Sequence, residues 1–98
     1  MAELHFEWSF LKAESNLQKH RVSFDEARTV FGDTFSRTIP DPDHSQDEQR
    51  FVTLGLSSQQ RLLVVVHTDR EDRIRLISAR RAIRTERLIY EERHKAAD

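Results

Sequence analysis

The sequence predicts an α+β domain in which a mostly antiparallel sheet of four to five strands carries two N-terminal helices on one face and ends in a C-terminal helix. Three observations predict it. Residues 10–20 and 24–31 place apolar side chains at helical spacing. Four later stretches, 34–39, 50–56, 62–68 and 73–79, show the alternation or the apolar runs of strands, and connections this short favour antiparallel neighbours. From Ile83 onward the period returns to that of a helix.

Each element has its own residue logic. Leu4, Phe6 and Trp8 alternate with Glu3, His5 and Glu7, as in a strand over residues 3–8. Phe10, Ala13 and Leu17 form one apolar stripe on the first helix, expected to lie on the sheet. Lys12, Asn16 and Lys19 share another side of that helix, with His20 at the border; they make either a solvated face or a basic lip to a groove. Ser23 and Glu26 fit a capping box for the second helix, with Val22 and Ala27 as its staple, and Gly32 is placed to end it in a left-handed turn.

Phe35, Arg37 and Ile39 share one face of the next strand, which Pro40 and Pro42 end. Residues 41–48, DPDHSQDE, read as an exposed acidic loop rather than a metal site, because the spacing of Asp41, Asp43, His44 and Asp47 lacks the glycine turn and terminal carboxylate of a calcium loop. The run at 62–66 is apolar on both faces, which marks a central strand. Arg80 and Arg81 fall at the hand-over from the last strand to the last helix, where two guanidinium groups are expected to point at one ligand.

Composition bounds the function. The chain has 98 residues, a net charge of −1 and no cysteine, so disulfides, thiolate metal sites and cysteine nucleophiles are excluded. The longest apolar run is far too short for a bilayer, and the first ten residues lack a signal-peptide pattern; a cytoplasmic protein with no membrane partner is expected. Thirteen of the sixteen basic residues are Arg, and they concentrate between Arg61 and Arg87. Arginine's planar fork grips phosphates and carboxylates with two parallel donors, so this bias suits an anion site. No helix-turn-helix signal supports a DNA-binding regulator acting alone.

The ordered residues now resemble a known family. Phe6-Glu7-Trp8, then Lys12, Asn16 and Lys19-His20, then Val22-Ser23-Phe24 with Glu26 and Ala27, Gly55 before Ser57, Arg61 with the apolar run after it, and RLISAR at 75–80 with Ala82, Glu86, Arg87 and Tyr90 are similar to the BrnT family of bacterial type II toxins. Ser9, Arg21, Thr34 and Ile83 depart from the family pattern, where Asp, Gly, Pro and Thr or Ser are usual. Arg21 would have to adopt a left-handed helix end, and Ile83 removes a helix cap. The resemblance implies a RelE-like fold, ribonuclease activity that stops translation, and neutralisation by a BrnA-type antitoxin that alone brings operator DNA into the complex, a heterotetramer being one such assembly.

Metal-free RNA cleavage needs a base for the 2′-hydroxyl, charge stabilisation on the phosphate and an acid for the leaving oxygen. On the resemblance, Arg80 is the first candidate stabiliser, with Arg75 or Arg61 second. His20 and His67 are candidates for proton transfer, since imidazole titrates near neutral pH. Lys12, Asn16, Lys19, Arg61, Arg81 and Tyr90 are candidates to bind RNA. No cofactor or metal is expected. The rival reading is a non-catalytic module that keeps the fold and binds RNA or a partner; for His67, Tyr90 and Trp8 the plainer role is packing.

Overall fold

The apolar run at 62–66 lies in the middle of the sheet, as its two-sided hydrophobicity requires. In the computed structural model, which describes residues 4–41, 43 and 48–96, the elements run β1 (His5–Glu7), α1 (Phe10–His20), α2 (Phe24–Ala27), a 3-10 turn (Arg28–Gly32), β2 (Arg37–Pro40), β3 (Arg50–Leu56), β4 (Leu62–Arg70), β5 (Arg73–Arg81) and α3 (Arg84–Ala96). The strand order is β1-β5-β4-β3-β2. The last four strands are antiparallel to their neighbours, and β1 pairs in parallel with the start of β5, His5 to Glu7 against Arg73 to Arg75.

Alternation sorts the two faces. Leu63, Val65, Leu76 and Ala79 pack with Val22, Phe24, Ala27 and Val30 beneath α1 and α2. Leu62, Val64 and Leu54 turn the other way, toward Ala82 and Tyr90 on the α3 side. Gly55 lets the 3-10 turn approach β3: a Cβ there would sit 3.1 Å from Val30 Cβ and 3.2 Å from its carbonyl oxygen. α3 is held at its far end, where the Tyr90 hydroxyl donates to Asp33 Oδ2 at 2.7 Å and Arg93 Nε to the Phe35 carbonyl at 3.2 Å.

Several expectations are corrected. The Phe10, Ala13, Leu17 stripe does not lie flat on the sheet: Phe10 is 72% and Leu17 48% exposed, and the side of α1 that turns inward centres on Asn16. The second helix divides into α2 and the 3-10 turn. Ser23 Oγ accepts from the Glu26 N–H at 3.0 Å, as in a capping box, but the Glu26 carboxylate turns to Arg61 and Ser57 instead of reaching back. Gly32 has no left-handed backbone. β2 starts at Arg37, because Asp33 Oδ1 accepts from the Phe35 N–H and closes a turn first. In the acidic loop Asp41 is buried, its N–H donating to the Arg50 carbonyl at 2.8 Å; His44 and Asp47 lie outside the described residues.

Two expectations hold in detail. Arg21 takes φ 58° and ψ 33° and donates its N–H to the Leu17 carbonyl, ending α1 as a glycine usually would. Gln60 and Glu71, in the two tight turns that flank β4, are also left-handed. At Ile83 the missing cap is supplied from the other direction, since Glu86 Oε1 accepts the Ile83 N–H at 2.8 Å.

Candidate functional site

β1 pairs with only the first three residues of β5, so among the described residues the later part of β5 has no strand on its outer side. α1 covers that edge through one side chain. Asn16, only 5% exposed, donates Nδ2 to the Ala79 carbonyl at 2.8 Å and to the Val22 carbonyl at 3.0 Å, and its Oδ1 accepts the Ala79 N–H at 3.0 Å. The amide does what a neighbouring strand would do for one residue. Lys12 and Lys19, a turn before and a turn after Asn16, are thereby fixed beside the stretch that holds Arg80 and Arg81.

Arg80 and Arg81 do not lie beyond the strand but are its last two residues, opposite Val64 and Leu63. Successive strand residues face opposite ways, so the two guanidinium groups do not aim at one point as expected. Arg80 turns to the α3 side. There its Nη1 and Nη2 donate to Glu86 Oε1 and Oε2 at 2.9 and 2.8 Å, and Nη1 also reaches the Arg81 carbonyl at 3.2 Å. This end-on pair leaves the side-on fork of Nε–H and the second Nη2 hydrogen without a partner among the described residues. The Arg80 side chain remains 40% exposed. Its hydrogen bonds hold the Glu86 carboxyl below the usual carboxylate range despite partial burial.

Other expected site residues are committed elsewhere. Asn16 is structural, as above. Arg61 binds the buried Glu26 through Nε, 2.9 Å from Oε2, and through Nη2, which also donates to the Arg21 carbonyl at 3.0 Å. Ser57 Oγ completes that cluster by donating to Glu26 Oε2 at 2.6 Å. The Arg61 bond holds the Glu26 carboxyl low against the opposing effect of burial. Arg75 Nη1 donates to Glu7 Oε2 at 3.0 Å. Tyr90 is tied to Asp33; burial and that carboxylate push its phenol up to about 12.

His67 is 2% exposed, stacked on Phe51 and edge-on to Phe31. Its Nε2 lies 2.7 Å from Thr53 Oγ1, which is 2.7 Å from Thr38 Oγ1, and its Nδ1 lies 3.0 Å from Asp69 Oδ1. Burial lowers its pKa, and Asp69 opposes the shift. It belongs to the core, out of a substrate's reach. Lys12, Lys19, His20 and Arg81 remain exposed at the surface.

Glu86 is the residue the sequence reading missed. It stood only as part of a family pattern, although a carboxylate six residues after Arg80 and at the third position of a helix was a usable signal for both pairing and capping.

A family model described as "Ribonuclease toxin, BrnT, of type II toxin-antitoxin system" matches residues 8–86. The fold is similar to the 1.1 Å crystal structure of the Brucella abortus ribonuclease toxin BrnT, with a TM-score of 0.66 and 16% identity over 84% of this chain and 100% of that one. A search of curated proteins gives no match.

Proposed function

The chain belongs to the BrnT family of ribonuclease toxins of type II toxin-antitoxin systems, and we propose on that footing that it is a cytoplasmic endoribonuclease that cuts RNA without a metal, halts translation, and is neutralised by a BrnA-type antitoxin, in a heterotetramer that carries any contact with operator DNA. The observation that supports this most is the state of Arg80. Its guanidinium is oriented by Glu86 on one edge while its other fork is open, which suits a phosphate that accepts two parallel bonds.

In this reading the RNA 2′-oxygen attacks the adjacent phosphorus, its proton passes to a base, and the bond to the 5′-oxygen breaks as that oxygen takes up a proton. Arg80 stabilises the charge gathering on the non-bridging oxygens. His20, in the exposed last turn of α1, is the other of the two candidate imidazoles for a proton transfer, and Lys12, Lys19 and Arg81 hold flanking phosphates. The Glu86 carboxylate cancels part of the local charge, and His67, Arg61 and Arg75 are committed within the fold, which favours the non-catalytic, RNA- or partner-binding alternative.

A cleavage assay on naked RNA, with and without EDTA, separates these readings. Cutting that survives chelation and disappears in Arg80→Ala supports the proposal. Cutting lost in EDTA overturns the metal-free route, and tight RNA binding by folded protein with no cutting, with or without ribosomes, establishes the alternative.

A further inference from the structure

α3 leaves a groove of about 290 Å³ between itself and the sheet, lined by Ile39 of β2, Val52 and Leu54 of β3, Val64 of β4 and Ile89 of α3. Ile39 and Ile89 are each 46% exposed, a high figure for two isoleucines that line one groove. The lips are charged. Arg37 stands on one and has no ion-pair partner among the described residues; Glu86 stands on the other with Arg80 in its grip.

We propose that this groove is the docking site of the antitoxin, occupied by a segment that buries aliphatic side chains against Ile39 and Ile89 and places a carboxylate on Arg37. The inference rests on the toxin-antitoxin reading above and extends it to a surface. Charge complementarity selects the occupant: the free cation on the lip calls for an acid, and the aliphatic lining calls for aliphatic anchors. Single-stranded RNA is the poorer fit, because none of the described residues lining the groove offers an aromatic face for a base to stack on. Glu86 lines the groove and holds Arg80, so a segment seated there touches the residue that orients the Arg80 guanidinium.

The test uses the full-length chain and the purified antitoxin encoded with it. Ile89→Asp and Arg37→Glu change exposed positions, so both variants should melt with the wild type and keep its ribonuclease activity. Each should bind antitoxin about 30-fold more weakly or worse by calorimetry, the loss expected for one anchor, and should no longer be silenced by it. Hydrogen exchange should show antitoxin protecting Arg37–Pro40 and residues 84–91. Unchanged affinity in both variants overturns the proposal. So does protection centred on Phe10 and Leu17, protection by RNA alone, or sedimentation showing a dimer of this chain that Ile89→Asp dissolves. A chain that cuts no RNA yet binds antitoxin in this groove would sink the nuclease reading and leave the docking site standing.

Discussion

Asn16 pairs with both backbone groups of Ala79, so a helix side chain stands in for a neighbouring strand in the part of β5 that, among the described residues, has none on its outer side. The contact ties α1 to the stretch of β5 that ends in Arg80 and Arg81. It also explains why α1 shows its Phe10 and Leu17 stripe to solvent: the helix is set by an amide on a sheet edge rather than by apolar burial on a sheet face.

Asn16→Ala should therefore cost about 2–4 kcal/mol, since it strands a buried N–H and two carbonyls. Asn16→Asp should be no better, because a carboxylate accepts from Ala79 but cannot donate to either carbonyl. Urea denaturation of the three proteins at neutral pH measures this. A loss below about 0.5 kcal/mol in both variants would show that the edge is held by something else.

Arg80→Ala should abolish RNA cleavage while shifting the melting temperature by only a few degrees, since the pair it breaks is partly exposed. Arg80→Lys should not rescue, because an ammonium cannot hold Glu86 end-on and a phosphate side-on together. Glu86→Ala should fray the start of α3, costing about 1 kcal/mol through the lost Ile83 bond, and should lower cleavage by loosening Arg80. Single-turnover cleavage alongside helix content by circular dichroism tests all three.

The Glu26 and Arg61 pair makes a different forecast. Glu26 is 4% exposed, so Arg61→Ala leaves a buried carboxylate without its cation and should destabilise by about 3–5 kcal/mol. Glu26 has a lowered pKa in the folded chain; its stabilising effect is complete above the ordinary 4.5 and is lost as pH falls through the folded value. Glu26→Gln should flatten that acid limb of the stability curve, as denaturation from pH 7 down to pH 3 will read.

His67 acts in a higher pH window. Its folded pKa lies below 6.5, so the unfolded chain takes up a proton first, and stability should fall as pH drops from about 6.5 through the folded value. His67→Gln should remove this slope without touching cleavage at pH 8, since the ring is sealed between Phe31 and Phe51. Loss of cleavage in a folded His67→Gln protein would restore it as a candidate catalyst.

The sheet was largely legible because strand alternation is a local signal: residues 50–56 and 62–66 announce their faces through Val52, Leu54, Val64 and their neighbours. The left-handed end of α1 at Arg21 was legible only through the family resemblance, in which glycine usually stands there. What escaped were long-range commitments of polar groups. Nothing near Glu26 in sequence shows that its partner is Arg61 across the fold, and nothing near Asn16 reveals Ala79. A polar residue on a charged helix side looks alike whether it meets solvent or backbone, so site residues chosen by chemical type alone included several that hold the fold together.

Neither glycine of the chain occupies a left-handed turn, and among the described residues that geometry falls instead to Arg21, Gln60 and Glu71, each at a cost of about 1 kcal/mol. Heat tolerance is thus within easy reach of directed evolution. Glycine at any of the three relieves a side chain from an awkward backbone without altering Lys12, Lys19, Arg80 or Arg81, so a sturdier variant need not be a gentler one.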